Sequence, residues 1–236
     1  MFVAVIRSCT GALAALLLAA ALPSSAAQAQ ARHEENTDPP VLRSFYWFRY
    51  VAGSDLREAC QAGATLRIRA VYNALYNDQV RTYDIERRAD GTYRFAARVF
   101  AHLGAIGSVT ISQPADIVSP WNPHRSERSL APGDFQRLLS ALNDSAAFGP
   151  PPKGLELPSN DFWWTVASCR EGRWGFQAYH FPTDHFARVR FADVLFALDG
   201  TGVAPNLPRA LPPAEFRGER TRNWRLAVGA NGLRDY

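Results

Sequence analysis

The residues with the most evident chemical potential are His180, Asp184 and His185, in the run Tyr-His-Phe-Pro-Thr-Asp-His-Phe. Two imidazoles and a carboxylate this close in sequence could ligate zinc, or supply a base and the acid that orients it. They stand where a strand gives way to a turn containing Pro182, and such strand ends often carry catalytic groups. The spacing matches no H-E-x-x-H or related zinc pattern, and nothing recruits His102 or His124 as a third ligand. A strand-end histidine followed by two first-turn helix residues accounts for them without chemistry, and that reading is preferred. Neither a metal nor a cofactor is expected.

Other catalytic signatures are absent from the sequence. There is no G-x-S-x-G elbow, and the sole lysine, Lys153, has Pro150 rather than serine three residues before it. No phosphate-binding glycine loop occurs. Aromatic residues are a better lead, at 12% of the chain with six tryptophans. Trp163 and Trp164 are adjacent, so on a strand they face opposite sides. One of them, Trp164, is a candidate contact surface together with Trp121 in its proline-flanked loop and Tyr76 at a hairpin tip. Exposed aromatic rings of this kind mark interfaces, whereas the plainer reading places them in the core.

The leader suggests where the protein works. Arg7 is followed by an apolar run from Ala12 to Leu22 and then by Ala26-Ala27-Gln28-Ala29-Gln30-Ala31. This order of charge, apolar run and small residues predicts a signal peptide over 1–29, cleaved after Ala29 or Ala31. The run is about half the ~20 apolar residues a spanning helix needs, and no later stretch is longer, so no transmembrane segment is expected. Cys9 lies before the apolar run, where a lipidated cysteine would not stand. The remaining pair, Cys60 and Cys169, is expected to form a disulfide in an oxidising compartment. The protein is therefore predicted to be periplasmic or secreted.

The net charge of +4 drops by one without Arg7, and so small a surplus argues against nucleic acid as a partner. Behind the leader, residues 30–42 read as flexible and 43–200 as a single globular domain. Residues 201–236 form a Pro/Gly/Arg-rich segment that is partly ordered, with an edge strand near 223–228. Phe45–Tyr50 has high strand propensity and is expected to be a buried strand or one that lies under a loop. Alternation predicts a three-stranded meander over 65–100, with turns at Asn77-Asp78 and Asp90-Gly91. Its inner face would carry Ile68, Ala70, Tyr72, Tyr83, Ile85 and Phe95. Its outer face would carry Arg67, Arg69, Asp84, Glu86, Arg94 and Arg98 as a solvated, self-compensated surface.

A short strand near 108–111 and a loop over 112–131 come next. Phe135, Leu138, Leu139 and Leu142 then predict a helix over 132–147. Two strands near 162–181 follow, joined by a turn at Arg170–Arg173. Residues 185–198 fit helix or strand, with helix preferred. The expected class is α+β: a mainly antiparallel sheet covered on one face by one or two helices, or alternatively a small β-sandwich or barrel with a helix. The functional expectation is a non-catalytic module that binds another envelope protein or a small ligand. The alternative is a small hydrolase or metal protein using His180, Asp184 and His185.

Overall fold

The computed structural model describes residues 45–101, 123–212 and 224–235. The expected signal peptide (1–29), flexible segment (30–42) and strand near 108–111, together with Trp121, lie outside these residues. Six antiparallel strands form one open sheet: β1 (Arg67–Ala74), β2 (Gln79–Arg87), β3 (Tyr93–Ala101), β4 (His124–Leu130), β6 (Phe162–Arg170) and β7 (Arg173–His180). Their spatial order is β4-β3-β2-β1-β6-β7. Helices α1 (Phe45–Ala52), α2 (Ser54–Glu58), α3 (Pro132–Asp144) and α4 (Phe191–Leu198) pack around it. A smaller sheet joins β5 (Glu156–Pro158), β8 (Arg225–Val228) and β9 (Leu233–Asp235), with β8 in the middle. The architecture is α+β, not a barrel.

The meander follows its alternation. Ile68 pairs with Ile85, Ala70 with Tyr83, and Ile85 with Phe95, so one face is continuously apolar. Against it pack Phe135, Leu138 and Leu142 of α3 and Phe191, Leu195 and Leu198 of α4. Helix spacing in each segment places these side chains on one stripe. Trp164 is buried at the centre of this layer, stacked on Tyr72 at 4.5 Å.

Several expectations are corrected. Phe45–Tyr50 is helix α1, not a strand. Coiling puts Phe48 and Val51 on one stripe against the opposite face of the sheet, and packing there overrides the aromatic strand propensity. That face is therefore covered, by α1, α2 and the small sheet, and the main sheet is the middle of three layers. Within the expected loop at 112–131 the chain forms β4. Its sequence, His-Arg-Ser-Glu-Arg-Ser-Leu, is polar on both faces, so no alternation announces it. β8 is central in its sheet, not an edge. In 185–198 the helix begins only at Phe191, after a 3₁₀ turn at Phe186–Arg188.

Cys60, just after α2, is bonded to Cys169 near the end of β6, across 109 residues of sequence. The β6–β7 hairpin turns on Glu171 (φ 53°) and Gly172 (φ 73°), the left-handed pair that a two-residue hairpin requires. Any Cβ at Gly172 would stand 2.6 Å from the Gln61 carbonyl oxygen. The hairpin is thus pressed directly against the chain that follows Cys60.

Candidate functional site

The histidine cluster does not assemble. His180 closes β7 and its Nε2 lies 3.3 Å from Asp161 Oδ2. The next side chain back, Tyr179, points to the other face of the strand, and His185 stacks on that ring at 4.6 Å. Burial, then the nearby Arg188, holds the His185 imidazole below its ordinary pKa. Asp184 is exposed in the turn between them, and His124 is exposed on β4. Among the described residues no three His, Cys, Asp or Glu side chains come together to hold a metal.

The aromatic candidates are also placed. Trp164 is 1% exposed and Tyr76 6%, so neither ring offers a contact surface. Tyr76 packs edge-on against Trp224 at 5.1 Å, beneath the small sheet. Trp163 and Trp164 do face opposite sides, and each is buried in its own core.

The arginine face is self-compensated; it is buried around Arg69 and Asp84, while the Arg94–Glu127 and Arg67–Glu86 pairs remain in solvent. Asp84 accepts from Arg69 Nε at 2.8 Å, Arg98 at 2.8 Å and the Tyr50 hydroxyl at 2.6 Å. Arg69, only 4% exposed, also makes a bidentate pair with Asp55 of α2 at 2.7 and 3.0 Å. Burial by itself would raise the Asp84 pKa, but Arg69, the Tyr50 hydroxyl and Arg98 together hold it below the usual carboxylate range. Arg94 is held bidentately by Glu127 of β4, and Arg67 lies 4.0 Å from Glu86. Every arginine of this face has a carboxylate, so the network binds α1 to the sheet and leaves no open charge.

A cleft of about 470 Å³ lies at the other end of the sheet from His180. The eight residues of β7 separate them by roughly 23 Å. Four stretches of chain converge on it. Gly63–Leu66 lead from Cys60 into β1, Arg87 ends β2 and Tyr93 begins β3. Phe135, Gln136 and Leu139 come from α3, and Arg170, Glu171 and Arg173 from the hairpin. Tyr93 lies flat on Phe135, with ring centroids 3.6 Å apart. Leu66 and Leu139 complete an apolar floor, and three arginines and one glutamate form the rim.

Sequence reading missed this site because its residues are scattered from position 63 to 173. Each had an ordinary local explanation as a turn, strand end or helix face. The one available signal was the density of charge in Arg170-Glu171-Gly172-Arg173. The disulfide builds the cleft directly, since two of its walls are the segments that follow Cys60 and Cys169. The chain matches no known protein family, and neither a curated protein sequence nor a solved structure is significantly similar to it.

Proposed function

We propose that the protein is an exported, non-catalytic binding domain that takes a small ligand into the cleft at the disulfide-linked end of its sheet. The observation that carries this reading is the cleft, whose volume and mixture of apolar floor and charged rim suit a small-molecule site. Its arginines keep their charge at any physiological pH, so they serve to bind and orient rather than to exchange protons. Export is supported by the charged, apolar and small-residue order of residues 1–29 and fits a cross-link of the kind that persists in oxidising compartments.

Native mass spectrometry of the protein from the envelope or medium of its host tests both halves. The expected chain begins after Ala29 or Ala31 and carries a ligand mass that Leu139→Trp, which fills the cleft, removes. A full-length chain retained in the cytoplasm overturns export. A ligand kept by the Leu139→Trp variant overturns the cleft reading. So does a bare protein that stays bare after incubation with a small-molecule extract of its host.

A further inference from the structure

The rim of the cleft differs from the meander face in how its charge is balanced. On the meander face each arginine meets a carboxylate. At the cleft, Glu171 is the only acid in the lining, and it sits 3.4 Å from Arg173 with both side chains in solvent. Arg87 and Arg170 make no ion pair with any carboxylate among the described residues. Arg170 is partly buried, and its guanidinium lies 3.6 Å over the Phe148 ring. That stacking fixes the guanidinium plane in advance, so little side-chain freedom remains to be lost when it meets a ligand. Burial, then the neighbouring Arg173, disfavours the Arg170 charge. Glu171 offsets this only in part, without an ion pair to Arg170, so a fixed, partly desolvated cation remains for an arriving anion to stabilise. Below it, Leu66, Tyr93 and Leu139 leave apolar surface that only an apolar body covers.

We infer that the cleft takes an organic anion with an apolar body, its carboxylate or phosphate head against Arg170 and Arg87 and its hydrocarbon over Leu66, Tyr93 and Leu139. The inference rests on the cleft reading and names the ligand class for it. The guanidinium fork suits both heads, because each offers two oxygens to parallel N–H donors. A cationic amphiphile would set like charge against the rim, and a small inorganic anion would leave the floor wet.

Isothermal titration of the purified, disulfide-intact protein tests this with four ten-carbon probes kept below micelle-forming concentrations: decanoate, decyl phosphate, decanol and decylammonium. Binding of the two anions alone is expected, and the tighter of them identifies the head group. Arg170→Met and Arg87→Met retain much of the apolar stem and should each weaken anion binding roughly tenfold, the scale of one charge-assisted hydrogen bond. Decanol binding as tightly as decanoate, with the arginine variants unchanged, overturns the anionic head while leaving the cleft as the site. Anions bound equally well by Leu139→Trp overturn both the inference and the cleft reading. If none of the four binds, the ligand class is wrong, and native mass spectrometry decides separately whether the cleft is the site.

Discussion

Asp199→Asn should destabilise the protein severely although it changes little in size. Asp199 follows α4, and its Oδ2 accepts from Arg81 at 2.6 Å and from the Tyr83 hydroxyl at 2.9 Å. Arg81 lies on β2 and is 1% exposed. It also donates to Gln79 Oε1 at 2.8 Å and to the Val203 carbonyl, while Gln79 holds Ala204 and Asn206. One buried cation thus fastens the segment after α4 along the sheet. Asparagine keeps only one of the two oxygens, so either Tyr83 on Oδ2 or Thr201 on Oδ1 loses its acceptor, and the guanidinium is left uncompensated. Breaking a buried pair in this way costs about 3–5 kcal/mol. For a domain of this size that corresponds to a fall in Tm of roughly 6–20 °C. The assay is urea and thermal unfolding of the oxidised protein at pH 7, with Arg81→Met and the double variant completing a cycle. The double variant should lose clearly less than the two single losses combined, since no orphan charge remains. A loss below about 1 kcal/mol for Asp199→Asn, or strict additivity, would refute the argument that charge compensation holds this segment.

Replacing both Cys60 and Cys169 with serine should lower stability by up to about 4.8 kcal/mol, from the entropy of closing a loop across 109 residues, and should weaken binding in the cleft that they brace; denaturant titration and calorimetry read the two effects. Glu171→Asn should raise stability by about 0.5–1 kcal/mol, because asparagine tolerates φ 53° better, and should also tighten anion binding by removing the rim's one acid. Asp84 has a folded pKa below its unfolded value near 3.8, so its contribution is complete above that value and is lost as pH falls through the folded pKa. Asp84→Asn should therefore be less stable at pH 7, with an unfolding curve that flattens below about pH 4 and converges on the wild type. His185 acts in a higher window: the unfolded chain takes up the proton first as pH drops below 6.5, so stability declines there, and His185→Phe should abolish that decline.

Part of this protein is written locally, and part is not. Alternation along 67–101 specified the meander and its register, because a slip of one residue would turn Tyr72, Tyr83 and Phe95 away from the core. Helical spacing specified α3, and with Cys9 assigned to the expected signal peptide the count of cysteines left Cys60 a single partner. Propensity misled at Phe45–Tyr50, where the sheet beneath decided that the aromatic run should coil. It was silent at His124–Leu130, which becomes a strand by pairing with β3 rather than by any pattern of its own. The site divides in the same way. His180, Asp184 and His185 drew notice because they are close in sequence, yet adjacent strand residues point to opposite faces, and that separates the two imidazoles. Arg87, Arg170, Tyr93 and Leu139 are far apart in sequence and meet only because antiparallel strands bring alternate ends together and the disulfide holds the loops beside them. Sequence determined the periodicities and the cross-link; only the tertiary structure decided which charges are balanced and which face an open cleft, since compensation is a matter of distance between side chains that no local pattern encodes.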